Sequence, residues 1–485
     1  MHISRIDFVI LTAYLAGITV FGSLFRRGQK DLRDYFLGGR TAPWWALACS
    51  IVATETSTLT IIGTPGIAYG GNLGFLQLVL GYLVARVILC VVLIPQYFQG
   101  EFYTAYQLLE RRFGRRIKSA AAAVFLGTRA LAEGVRISAI GKVVSVAFGT
   151  GERLSIFIIT VLTLFYTFEG GMRAVIWTDV FQFVIYLTGS VAAFFLLLHK
   201  IPGGWPTVTH VAAAAGDKLS IFDFSLSLTK SYTFWSGLIG GTFLTMASHG
   251  TDQTMVQRLL AARNERDSKT ALLASGVIIF VQFALFLVLG VMLYVYIAHM
   301  AFPLPTADPD RIFPEFIVRE MPVGLAGLVI ASIFAVAMSN ASGSLNSLAS
   351  SSIMDLGRGR ANAGATGALA RSRQMTLLWG IVLGALGLIR WGPVLVAGLT
   401  IASITYGATL GVFLLGTWNP RANEKGAIAG FATGLGVMIV VQLFHVPLAW
   451  TWYVLAGTIV TFTVGSLVSA FSGANPAKTG AVLAG

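Results

Sequence analysis

The sequence predicts an all-α polytopic membrane protein, and three observations predict it. Of 485 residues, 55% are hydrophobic and only 11% charged, less than half the roughly 25% charge of a soluble globular chain. The mean hydropathy is +0.76. About thirteen apolar runs follow one another between clusters of Gly, Pro and charge, most of them near the roughly 20 residues that cross a bilayer core. Lipid offers the backbone no hydrogen bonds, so each run is helical. This composition excludes a disordered chain, a coiled coil, a collagen and an ordinary cytosolic enzyme. The 54 glycines agree with it, because glycine is commoner in membrane helices than in soluble ones. Cys49 and Cys90 both sit in apolar runs and form no disulfide framework.

The first run, 6–25, is long for a signal peptide, lacks a small-residue cleavage site and ends at Arg26-Arg27, so it reads as a span. The others cover 44–69, 75–97, 117–148, 156–168, 174–198, 233–250, 270–297, 323–352, 375–389, 393–415, 427–444 and 453–469. Charge tests this count. With the amino terminus outside, the cytoplasmic segments carry 22 of the 34 Lys and Arg residues, the outer segments 8, and the spans Arg86, Arg129, Arg136 and Lys142. That asymmetry is what the positive-inside rule requires, and one span more or fewer scrambles it. The net charge of +13 is therefore topological and needs no nucleic-acid partner. The outer segments near 199–230 and 299–321 read as caps. No run of 50 or more residues forms a soluble domain, so the chain is expected to act within the bilayer.

Two spans are locally polar. In the second, Thr54-Glu55-Thr56-Ser57-Thr58-Leu59-Thr60 places one apolar side chain and a carboxylate among hydroxyls at mid-membrane, with Gly63 and Pro65 close behind. Hydroxyls compete with the helical backbone for hydrogen bonds. The stretch therefore reads as unwound, with freed carbonyls facing a cavity, as in the discontinuous helices that hold ions in secondary transporters. Polar glue between two helices is the plainer alternative. Glu55 costs about 2.5–3.5 kcal/mol at a bilayer centre on insertion scales and so requires a partner, a cavity or a proton. In the ninth span, helical spacing puts Val336, Ser339, Asn340 and Gly343 on one face, which supplies carbonyl, hydroxyl and amide oxygens suited to a hard cation. Close packing by small residues is its alternative. Arg129, Glu133 and Arg136 share a helix face as a self-neutralising set. Asp179 starts a span, either as a carboxylate favoured by the helix dipole or on an ion path. His249 is read as lining the cavity or simply packed, and Arg86 has no explanation from sequence.

These residues carry a resemblance. Tyr166-Thr167-Phe168-Glu169-Gly170-Gly171-Met172-Arg173-Ala174 with Trp177-Thr178-Asp179, Thr251-Asp252-Gln253-Thr254-Met255-Val256-Gln257-Arg258, Met338-Ser339 with Asn346-Ser347 and Met354-Asp355, and Asn419-Pro420-Arg421-Ala422-Asn423-Glu424-Lys425-Gly426-Ala427 occur in order. Together they resemble the sodium:solute symporter family over nearly the whole chain. The resemblance implies a leucine-transporter-type core of two inverted five-helix repeats. Residues 1–43 would then hold a preceding helix and cytoplasmic loop, 44–198 core helices 1–5, 199–232 an extracellular loop, 233–417 core helices 6–10, and 418–485 two further helices and a tail. It implies sodium as the bound ion, held by the carbonyls of Ala53, Thr56 and Val336 with the side chains of Ser339 and Asn340, where relatives usually carry Ser or Thr at position 340. Asp179 with Ser339 and Ser342 is offered as a second sodium site, one ligand short because position 343 is Gly343. Solute contacts are expected from Glu55, Ser57, Thr58, Thr60, Gln77, Ser248 and His249. Ser248-His249 and Thr60 replace the groups that sugar-binding relatives use, so a glucose-like pocket is not expected.

The function expected is sodium-coupled symport of a small organic solute by a monomer in the lipid bilayer, with the carboxyl terminus cytoplasmic. One rival uses the same fold with protons carried by Glu55. A second is a membrane solute sensor, which the short polar tail does not favour. No HExxH, GxSxG or P-loop points to an enzyme.

Overall fold

The computed structural model describes residues 3–24, 37–100, 102, 104–166, 172–300, 308–354 and 365–472. Among them the chain is all-helical, apart from an isolated backbone bridge between Ala42 and Ala262. In order the helices are α1 (Arg5–Leu24), α2 (Trp44–Glu55), α3 (Thr58–Gly70), α4 (Leu76–Val92), α5 (Ile94–Phe98), α6 (Tyr106–Arg112), α7 (Arg115–Phe148), α8 (Glu152–Tyr166), α9 (Met172–Lys200) and α10 (Gly204–Ala214). They continue as α11 (Gly241–Gly250), α12 (Gln253–Leu260), α13 (Glu265–Met300), α14 (Pro309–Glu320), α15 (Leu325–Met354), α16 (Ala365–Gly387), α17 (Val394–Trp418), α18 (Glu424–Leu443) and α19 (Tyr453–Phe471).

Seven of the described segments are long and apolar enough to cross a membrane, and nine if each of two bent pairs counts as one span. The bent pairs are α2 with α3, at 62°, and α7 with the start of α8, at 112°. Among the described residues fewer segments qualify than the thirteen spans expected. The run expected at 233–250 starts with a π turn over Ser236–Gly240, and its α-helical part is the 10-residue α11.

Lipid gives helices no hydrophobic reason to associate, so close approach and polar fastening hold them together. At Gly290 of α13 a Cβ would lie 2.2 Å from the Pro65 carbonyl oxygen of α3, and at Gly241 of α11 2.3 Å from the Leu78 carbonyl oxygen of α4. Only glycine permits those contacts. As a result α3, α4, α11 and α13 pack around one another, while α7 packs against α15, α16 and α17 on the other side of the molecule.

Caps place the helix starts. Asp308 accepts from Asp310 N–H at the start of α14, Asp252 from Thr254 N–H at α12, and Asn423 from Gly426 N–H at α18. One cap comes from a different helix. Asp7 on α1, only 3% exposed, accepts at Oδ1 from Gly324 N–H at 2.7 Å and Gly327 N–H at 2.8 Å, fastening α1 to the first turn of α15. On the loop after α10, the Lys218 ammonium donates to the Tyr69 and Gly71 carbonyls at 2.8 and 3.0 Å and lies 4.1 Å from the Tyr294 ring centroid. It thereby closes the carboxyl-terminal end of α3.

Candidate functional site

The polar stretch expected to unwind does so. Helix α2 stops at Glu55 and α3 starts at Thr58. Thr56 has ψ 79° and Ser57 ψ 173°, both outside the helical range. The consequence falls on two carbonyls. In a continuous helix Ser57 N–H would donate to Ala53 O and Thr60 N–H to Thr56 O. Instead Ser57 N–H donates to Glu55 O at 3.0 Å and Thr60 N–H to Ser57 O at 2.9 Å. Ala53 and Thr56 thus lose the helical donors to the two carbonyls expected to bind an ion. The Thr56 hydroxyl is occupied elsewhere, accepting from Gln282 Nε2 at 2.6 Å. A second interruption separates α11 from α12 at Thr251 and Asp252.

Beside these breaks lies a cavity of ≈ 160 Å³. Glu55, Ser57, Thr60, Ser248 and His249 all line it. Sequence reasoning did not assign Arg129, Arg136, Asp252 and Tyr406 to it, yet they line it too. The signal for the arginines was present: cations on a membrane helix face a cavity or a partner, and these do both.

Two expected solute contacts lie elsewhere. Gln77 is 1% exposed; its Nε2 donates to the Gly74 and Tyr232 carbonyls at 3.1 and 3.2 Å, and its Oε1 accepts from Asp223 N–H at 3.0 Å. It fastens the loop holding Asp223 and Tyr232 to α4. Thr58 points to a separate small void that it shares with Arg136 and Asn340.

Charge around the cavity is arranged in two clusters. In the first, Glu55 Oε2 is ion-paired with Arg86 of α4 and lies 3.4 Å from His249 Nε2. Arg86 also donates to Ser275 Oγ of α13 at 3.3 Å and to the Tyr82 carbonyl at 3.0 Å. The unexplained cation and the costly carboxylate therefore account for each other, and the cluster ties the α2–α3 break to α4, α11 and α13. In the second, Glu133 Oε2 takes Arg136 Nη1 at 3.0 Å and the Ser344 hydroxyl at 2.8 Å, with Arg129 Nη2 at 3.9 Å. Arg129 Nε donates to Ser344 Oγ at 2.9 Å. The set expected to neutralise itself on α7 holds two cations against one carboxylate, and it is fastened to α15.

Of the ion ligands expected on α15, Val336 is buried at 2% and Asn340 is half-buried. Ser339 and Ser342 lie in the helix, and their side chains are outside what the structure describes. Asp179 of α9 accepts from Ser50 Oγ at 2.6 Å and pairs with Arg258 Nη2 of α12 at 3.1 Å. A guanidinium therefore already supplies its counter-charge.

A family model described as the sodium:solute symporter family matches residues 35–434. The chain belongs to the sodium:solute symporter family. Its members are transporters, not enzymes, and this symporter is an integral membrane protein. It is 29% identical to the human sodium/iodide cotransporter over 90% of this chain and 69% of that one. It is also 29% identical to the sodium/sialic acid symporter NanT of Aliivibrio fischeri, over 96% of this chain and 93% of that one. A solved Na+-coupled sialic acid symporter, in a substrate-bound outward-open state, superposes with a TM-score of 0.87 at 27% identity, covering 97% of this chain and 99% of that one. The nucleobase-cation-symport-1 transporter Mhp1, in a closed conformation, shares the fold at a TM-score of 0.59 and 12% identity, over 90% of this chain and 93% of that one. The symporter's all-helical fold is accordingly of the leucine-transporter type.

Proposed function

We propose that this symporter drives uptake of a small organic solute with one sodium ion, held by the carbonyls of Ala53, Thr56 and Val336 and by the side chains of Ser339 and Asn340. The carrying observation is the loss of helical donors to the Ala53 and Thr56 carbonyls, since hard cations in this type of fold are held by unwound backbone. Sodium draws the α2–α3 break toward α15 and orders the cavity wall formed by Glu55, Ser57 and Thr60, so ion and solute favour each other by a reciprocal coupling, typically 1–3 kcal/mol. The membrane potential adds about 2.3 kcal/mol per charge per 100 mV.

Two rivals lose support. A proton carrier at Glu55 would need a carboxyl free to change its charge, whereas Arg86 and His249 hold this one. A second sodium at Asp179 would have to displace Arg258. We extend the reading to about thirteen spans with the amino terminus outside and the carboxyl terminus cytoplasmic, following the cation asymmetry. The same reading places inverted repeats at 44–198 and 233–417, supported by the interruption at 56–57 within the first helix of one half and that at 251–252 just after the first run of the other. The working unit is a monomer in the lipid bilayer.

The test is uptake in proteoliposomes across a sodium series. Ser339→Ala should raise the sodium concentration for half-maximal uptake at least tenfold; an unchanged sodium dependence removes the assigned site.

A further inference from the structure

Apart from the cavity at the helix breaks, the chain holds a hollow of ≈ 230 Å³ where α2, α9 and α13 begin. Arg173 and Arg263 both line it, with Thr41 and Trp177, and no carboxylate of the described residues does. The nearest carboxylate to Arg263 along the chain, Glu265, pairs with Lys269 at 2.6 Å. Helix starts carry unpaired N–H groups and the positive end of the dipole, so two guanidiniums beside them make the place electropositive. Its walls are fixed by backbone. Ala42 and Ala262 form a bridge, and Arg263 Nε donates to the Thr41 carbonyl at 3.2 Å. Gly38, at φ 57°, lies so close to α9 that a Cβ would stand 3.3 Å from Arg173 N. An apolar path leaves the hollow. Arg173, Trp177, Phe181 and Val184 follow at helical spacing along one face of α9, and Phe181 is 48% and Val184 53% exposed. Trp177 packs against Trp45 of α2 with ring centroids 5.5 Å apart, and Trp44 and Trp45 are themselves exposed, as aromatic side chains at headgroup level are. The face therefore runs from cation through indole to hydrocarbon.

We propose that this hollow binds an anionic phospholipid, with its phosphate between Arg173 and Arg263 and an acyl chain along Phe181 and Val184. The order of groups on α9 matches the order from phosphate to hydrocarbon in such a lipid. A guanidinium fork suits phosphate oxygens, and basic pockets between membrane helices are where anionic headgroups bind. Arg263 engages Thr41 through Nε, which leaves both of its Nη groups for the phosphate. A soluble phosphate ester would use the cations and leave the apolar face of α9 unused. The bound lipid would join the start of α2, the helix that ends at the Glu55 break, to the starts of α9 and α13.

The experiment is thermal unfolding of the purified, delipidated full chain in detergent. The probes are dioleoylphosphatidylglycerol, dioleoylphosphatidylcholine, glycerol 3-phosphate and inorganic phosphate. Phosphatidylglycerol should raise Tm to a plateau, whereas phosphatidylcholine at the same mole fraction and the two soluble phosphates should not. The double variant Arg173→Gln/Arg263→Gln should need a roughly tenfold higher phosphatidylglycerol concentration for half of the shift. Arg115→Gln, at an exposed cation of α7, should respond as wild type. Because Arg263 also holds Thr41, Arg173→Gln is measured alone as well: it should unfold as wild type without lipid and lose part of the lipid response. Native mass spectrometry should find phosphatidylglycerol retained by the wild type and lost from the double variant. Equal stabilisation by phosphatidylcholine would show that the headgroup charge is not read and would overturn the proposal. A shift reproduced by glycerol 3-phosphate or inorganic phosphate would make the hollow a site for free anions and overturn the lipid. No shift with phosphatidylglycerol, or the same shift in wild type, Arg173→Gln and the double variant, would overturn it too.

Discussion

Arg86 is 1% exposed, and its guanidinium binds a carboxylate that sits at a break in a membrane helix. Removing one partner of such a pair strands the other charge, at a cost of about 3–5 kcal/mol, whereas removing both is much less damaging. Arg86→Met should therefore destabilise the protein by about 3–5 kcal/mol. The double variant Glu55→Gln/Arg86→Met should recover most of that loss, as read by thermal unfolding in detergent. Half of this pair was legible from sequence: Glu55 announced itself as a charge needing a partner. Its partner did not, because the two lie 31 residues apart and only the packing of α4 against the broken helix brings them together. Gln77 shows the converse. Its residue type suits solute binding, yet its three hydrogen bonds all go to backbone.

At the scale of elements, the break between α2 and α3 was predictable because local chemistry causes it. Successive hydroxyls and a carboxylate compete for backbone hydrogen bonds within a single turn. The close helix crossings were less legible, since the 54 glycines do not mark which of them touch a neighbour. Gly290 does, against Pro65 O. Gly290→Val should push α13 away from α3 and leave little monodisperse protein on size-exclusion chromatography, whereas Gly127→Ala, where a Cβ meets nothing within 4 Å, should behave as wild type. The junction of α1 with α15 depends on one carboxylate. Asp7→Asn replaces charge-assisted bonds to two helix-start N–H groups with weaker ones and should cost about 1–2 kcal/mol of stability, measurable by the same unfolding assay.

For the whole molecule, two buried ionic clusters border one cavity, through Glu55 and His249 and through Arg129 and Arg136. Glu55, Arg86, His249 and Ser275 fasten the end of α2 to α4, α11 and α13, and Arg129, Glu133, Arg136 and Ser344 fasten α7 to α15. Each cluster stiffens its own set of helices beside the cavity, which suits the rocking of one bundle against another. The proposed orientation has its own test: in intact cells, an impermeant thiol reagent should label Ser225→Cys and should reach Arg421→Cys only after the cells are opened. The sequence by itself determined the membrane class, the helical backbone and the site of unwinding. Each of those follows from composition or from neighbours along the chain, because the bilayer penalises every exposed charge and every unpaired peptide group locally. The tertiary structure alone decided which charges neutralise one another, that Arg258 holds Asp179, and that Thr58, Arg136 and Asn340 share one recess. Those are contacts between distant segments, set by how closely the helices approach, and periodicity along one helix carries no information about which neighbour its face will meet.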